Sequence, residues 1–290
     1  MSDVTVRTGV PPGGAAPPAR RGRRLPAWAV PWVRGASGVV VFLLICEAAG
    51  RLGIISRAAL PLTSSVLARV VLLAGNTRFL ADVGATLEAW AAGMAITVAV
   101  GVPLGVLLGT LPGVRSATRA IVEFLRPIPS VALIPLVGLL LGPGLRLSAT
   151  LIVYGAIWPV LYNTMAGLDD VDPVAKETSR AFGFSTLATI RLVSLPSAAP
   201  FIATGIRLAS SVAIILDIGA GYITGRINGP GLGAFIADQS SGAGNLPAIL
   251  AATIWAGILG LVLDRAIVYA EHRLLRWHHL QLAGATGASS

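Results

Sequence analysis

Bond-making chemistry needs a nucleophile beside a base, paired carboxylates or a set of metal ligands. The one cysteine, Cys46, follows Leu43-Leu44-Ile45 in an apolar run, where a thiol reads as a small packing residue. His272, His278 and His279 gather beside Arg273 and Arg276 with no cysteine or carboxylate set around them, and read as a solvated basic tail. No Gly-rich loop ending in Gly-Lys-Ser/Thr occurs. What remains is charge in unusual places. Ionisable residues inside apolar segments are expensive and are therefore candidates for function. Glu123 and Arg126 are three apart and can pair on one helix face. Arg207 and Asp217 share one segment, ten residues and so ~80° from alignment at ~100° per residue. Arg207 either receives an anionic solute, with Asn163, Ser210 and Ser211 supplying hydrogen bonds, or neutralises Asp217 or Glu123, or reaches the interface. Asp264 and Arg265 read as interface anchors. A second concentration of charge lies in residues 169–200: Asp169, Asp170, Asp172, Lys176, Glu177, Arg180 and Arg191.

The elements that must hold these residues are membrane helices. Of 290 residues, 54% are hydrophobic and 12% charged, and the mean hydropathy is +0.78. Soluble domains carry about 25% charged residues, so a solvated enzyme and a disordered chain are both excluded. Apolar runs of about 20 residues predict an all-α polytopic bundle of six spans: 37–55, 86–111, 117–141, 145–168, 197–224 and 246–270. Residues 56–80 read as an exposed connection with a short helix. Residues 1–34, with Arg20, Arg21, Arg23 and Arg24, form a flexible basic arm, 35–276 the membrane domain and 277–290 a polar tail. The Arg pairs and Cys46 resemble fragments of export signals, but Pro26 and Pro31 interrupt the stretch and several spans follow. An uncleaved first helix is expected. The net charge of +9 would suggest nucleic acid in a soluble protein. In a membrane protein it reports topology: placing both ends in the cytoplasm puts 13 basic residues inside and six outside.

Residues 169–196 carry the strongest pattern. Asp172-Pro173 has the form of a helix start, capping residue then proline, and Gly183 is placed to end that helix. A second helical stretch is expected over Thr186–Leu195, with Pro196 leading into the fifth span. Glu177-Thr178-Ser179, three residues, Gly183, nine residues, then Val193-Ser194-Leu195-Pro196 resembles the EAA loop of type I ABC-importer permeases. Thr178 and Ser179 stand where the family has alanines, and Val193 where it has isoleucine. The resemblance runs from about Leu60 to His278. Leu125-Arg126-Pro127-Ile128-Pro129-Ser130-Val131-Ala132-Leu133-Ile134-Pro135-Leu136, Pro159-Val160-Leu161-Tyr162-Asn163-Thr164, Thr204-Gly205-Ile206-Arg207 and Gly231-Leu232-Gly233 are similar to the nitrate/sulfonate/taurine subgroup. That subgroup usually carries Glu-Met late in span five, where this chain has Gly221-Tyr222.

The resemblance implies an inner-membrane transport subunit with no cofactor of its own, ATP and Mg being held by a partner. It implies two ATPase subunits docked on Lys176, Glu177, Thr178, Ser179, Arg180, Gly183, Leu195 and Pro196, a second permease copy and an extracytoplasmic binding protein. The solute is then a small anion of the nitrate, sulfonate or taurine kind, or a vitamin or thiamine-precursor-type molecule. A short capped helix is a solid element that a partner can push. Glu177 and Arg180 offer charged contacts, and Gly183 offers close backbone approach.

Pro127, Pro129 and Pro135 predict a break in the third span near Arg126–Ser130. The half-helix beyond either faces the translocation path or is simply kinked. The candidate path residues are Arg126, Ser130, Asn163, Arg207, Ser211 and Asp217. Gly93, Gly101, Gly105 and Gly109 form a small-residue stripe, expected to be a helix-packing seam. An ATP-independent transporter would show midplane ion-coupling acids and an internal repeat, and an intramembrane enzyme a histidine or carboxylate pair within the spans. Neither pattern is evident.

Overall fold

A computed structural model describes residues 30–56, 59–142, 144–241 and 245–274. Most of the expected basic arm and polar tail lie outside the described residues. The chain is an all-α bundle with no strand among those residues. Among the described residues four helices are long and apolar enough to cross a membrane, and a bent pair, taken as one span, makes a fifth. The first expected span falls on α1 (Val30–Arg51), which is not among these five, so the expected count of six is not reached among the described residues; its Val39, Phe42, Leu44 and Ile45 are exposed. It stops at Arg51 rather than at residue 55. The predicted short helix is α2 (Thr63–Ala74).

Three helices make the centre: α3 (Thr77–Thr110), α6 (Leu145–Asp169) and α9 (Leu195–Thr224). The glycine stripe is what lets α3 and α6 meet. A Cβ on Gly93, Gly101, Gly105 or Gly109 would lie 2.5, 3.1, 2.6 or 2.9 Å from Ile152, Val160, Thr164 or Leu168. Each contact joins residues 59 positions apart, so the helices run parallel and in register. Two parallel neighbours require the chain to cross back between them, which the bent pair does. On its other side α6 meets α9 antiparallel: Gly167 faces Ala198 and Phe201, Gly205 faces Asn163, and Gly155 faces Leu216. Apolar on all sides, α6 buries Leu147, Leu151, Ile152, Ala156 and Val160 almost completely.

The bent pair is α4 (Pro112–Leu125) followed, at 76°, by a 3₁₀ turn (Ser130–Leu133) and α5 (Ile134–Leu141). The break therefore falls at residues 126–129, where the prolines were expected to place it. Pro196 behaves otherwise. After α7 (Pro173–Ala181) and α8 (Thr186–Thr189) a π turn, Ile190–Ser194, runs straight into α9. Leu195 N bonds to Ile190 O, and Pro196 sits in the first turn of α9, where its missing amide costs little, leading into the fifth expected span. At the opposite end a 3₁₀ turn (Gly225–Asn228) leads to α10 (Leu232–Ser241), followed by α11 (Leu246–Leu274). There Phe79 meets Phe235 and Trp255 edge to face, and Trp255 Nε1 donates to Val70 O at 3.1 Å.

Candidate functional site

Residues 169–196 fold into a compact knob beyond the end of α6. The Asp172 carboxylate accepts from Val174 N at 2.8 Å and Pro173 takes the first helical position of α7. At the other end Gly183 adopts φ +81° while its amide donates to Arg180 O and Phe184 N donates to Ser179 O. This pair of bonds is the glycine-terminated helix stop. Open space surrounds Gly183, so within this chain the glycine answers to its backbone angle and not to a close approach.

The knob is tied down from inside. Lys176 Nζ donates to Leu168 O at 3.0 Å, satisfying a carbonyl in the last turn of α6. Ser179, buried, bonds to Lys176 O at 2.8 Å and meets the Thr189 hydroxyl at 3.2 Å, joining α7 to α8. Arg115 braces Asp169 at 3.1 Å. Leu195 and Pro196 are half-buried at the root of α9. Glu177, Thr178, Arg180 and Gly183 face outward, and the Glu177 and Arg180 side chains make no hydrogen bond or ion pair among the described residues. Sequence reasoning passed over the apolar members of the same surface: Val174, Phe182 and Leu187 are 65%, 80% and 65% exposed. Large apolar residues flanking a glycine in a charged loop were the available signal, since such patches mark contact surfaces.

The six candidate path residues are not brought together. Arg126 lies at the break with its guanidinium 4.6 Å from the centre of the Tyr162 ring, and Glu123 pairs with Arg119 at 2.7 Å instead. One helical turn backward suits Glu123 because the helix ends at Leu125. Ser130 sits beside Gly155. The Tyr154 hydroxyl donates to Leu125 O at 2.8 Å, satisfying a carbonyl at the break. Asn163 donates to Pro159 O of its own helix at 2.8 Å. Arg207 binds neither Asp217 nor Glu123. Its fork holds Asp264 of α11 at 2.6 and 3.1 Å, beside a shallow cavity of about 210 Å³ that Ser211 also lines. Asp264 is thus a counterion, not only an anchor. Asp217 lies apart, 7% exposed, hydrogen-bonded to Thr86 and Ser148.

A further cluster went unread in the sequence. Arg226 grips Asp82 of α3 with two bonds of 3.1 Å and also binds Asp238. Asp82 accepts from Gly231 N at 3.1 Å and Thr86 from Leu232 N at 3.0 Å, so two residues one turn apart on α3 cap the start of α10. Gly231-Leu232-Gly233 has its physical reason here. A Cβ on Gly233 would lie 2.1 Å from Ile218 O of α9.

Long apolar helices, a broken span and a rigid external knob define the frame of a multi-pass membrane permease. Residues 101–276 match the model of the binding-protein-dependent transport system inner membrane component, and the chain belongs to that family. It is an ABC-importer permease with nitrate-type relatives. It is 30% identical over 218 residues to a probable ABC transporter permease protein of Brucella melitensis, covering 75% of this chain and 87% of that one. A putative ABC transporter permease protein of Methanocaldococcus jannaschii is 31% identical, the match spanning 58% of this chain and 61% of the relative. A nitrate import permease protein of Leptolyngbya laminosa is 28% identical, with 67% and 68% covered. The fold resembles that of a chain of the inward-facing MetNI methionine ABC transporter, with a TM-score of 0.56 and 23% identity over 69% of this chain and 98% of that one.

Proposed function

We propose that this chain is the translocating subunit of an ATP-driven importer, working as a pair of identical copies. Two ATPase subunits, which hold the ATP and Mg, dock on the α7–α8 knob, and an extracytoplasmic binding protein delivers the solute. The knob and both termini then face the cytoplasm. One observation carries this reading: an acid, a base and three large apolar side chains stand exposed on an element whose inner face is bonded to α6 and continuous with α9. Force applied there reaches the bundle. Closing of the ATPases on ATP would bias the bundle between two states.

The solute is a small anion of the nitrate, sulfonate or taurine kind. A second reading, a vitamin or thiamine-precursor-type molecule, is favoured by the acidic residue, Asp217, that α9 presents near the α10 end. The test is reconstitution with the cognate ATPase. Glu177→Ala and Gly183→Asp should abolish stimulation of ATP hydrolysis while the bundle stays folded. Undiminished transport with no ATPase present would overturn the reading.

A further inference from the structure

Asp217 is a buried carboxylate in a membrane helix with two hydroxyls, Thr86 and Ser148, as its hydrogen-bond partners. No cation pairs with it among the described residues. A buried charge without a counterion is costly and is seldom kept without a use. Two other acids at this end, Asp82 and Asp238, are paired with Arg226. Beside Asp217 lies a cavity of about 200 Å³, walled by α3, α6, α9 and the start of α10. Its rim carries a second acid, Glu88, exposed and bonded to nothing among the described residues. No lysine or arginine lines it. Glycines 144, 221, 231 and 233 are among its walls, Gly221 and Gly233 because α9 and α10 meet there backbone to backbone. The positive end of α10 points this way, but its Gly231 and Leu232 amides are taken by Asp82 and Thr86. The one base near the middle of α9, Arg207, is committed to Asp264.

We propose that this cavity is a subsite for the ammonium group of a small solute, held between the Asp217 and Glu88 carboxylates with the Ser148 hydroxyl as a further acceptor. Three N–H donors on an ammonium match three oxygen acceptors. The volume, below the roughly 300 Å³ of drug-sized sites, suits a headgroup. Resting on the permease reading above, this narrows the solute class to amine-bearing molecules, zwitterionic amino-sulfonates included, and away from bare oxyanions.

The full chain, purified into lipid nanodiscs without ATPase, is titrated with ethylammonium, taurine and ethanesulfonate, three probes of similar size. Ethylammonium and taurine should bind and ethanesulfonate should not. Asp217→Asn should weaken ammonium binding about ten- to a hundredfold, the range for a hydrogen bond to a charged group. Should that variant not fold, Glu88→Gln on the exposed rim should weaken ethylammonium severalfold. Ethanesulfonate binding as well as taurine, no binding by any probe, or an ammonium affinity unmoved by the substitutions would overturn the proposal. Binding is read without ATPase and ATPase stimulation without these probes, so either reading can fail while the other stands.

Discussion

Replacing Gly105 by alanine places a methyl group 2.6 Å from Thr164 Cβ, 2.9 Å from its Cγ2 and 3.1 Å from Leu161 O. Ordinary contact begins near 3.4 Å, so α3 and α6 must separate by most of an ångström or Thr164, β-branched and buried, must leave its rotamer. Overpacking of this kind costs about 1–3 kcal/mol, against a helix-propensity gain of up to about 1 kcal/mol for Gly→Ala. Gly105→Ala should therefore destabilise by about 1–2 kcal/mol. Gly84 lies on the same helix with nothing within 4 Å, and Gly84→Ala should be neutral or stabilising by up to about 1 kcal/mol. Gly233→Ala, facing the unyielding Ile218 carbonyl at 2.1 Å, should be the worst of the three. Thermal melts of purified protein read the order directly, at about 2–4 °C per kcal/mol for a chain near this size. If Gly84→Ala and Gly105→Ala shift the melt alike, the parallel glycine seam is not where α3 and α6 meet.

Arg226→Gln leaves Asp82, 1% exposed, as a buried charge without its partner and should cost about 3–5 kcal/mol. Adding Asp82→Asn should recover much of that loss in a double-mutant thermal-melt cycle. Gly183→Ala forces a side chain into positive φ at about 1–2 kcal/mol, which should speed amide exchange at residues 183–184 while the global melt holds. In a Cys46→Ser background, Phe182→Cys should react with an impermeant maleimide only from the cytoplasmic side and Ile227→Cys only from the other. Labelling with the two sides exchanged would reverse the proposed orientation, and labelling of both from one side would show that α9 does not span the bilayer.

Local rules were enough for much of this architecture. Asp172, Pro173 and Gly183 bound α7 through capping chemistry written in adjacent residues, and Pro127 and Pro129 mark the break because a proline acts on its own turn. What stayed hidden depends on partners distant in sequence. Arg207 gave no sign of choosing Asp264, 57 residues away, over Asp217 in its own helix, because that choice is made by how α11 packs on α9. The glycine stripe announced a close approach but not α6 as the helix approached. Asp82 and Thr86 drew no reading at all, since the amides they cap are contributed by residues more than 140 positions later.

The helix that begins in the knob at Thr186 does not finish until Ile227, and those 42 residues form a strut about 63 Å long at ~1.5 Å per residue. Its far tip bears Arg226, which is bolted to two other helices. Knob and Arg226 cluster are therefore joined by one unbroken stretch of helical chain, and whatever shifts one end must be taken up along that stretch or passed to the two helices held at the other.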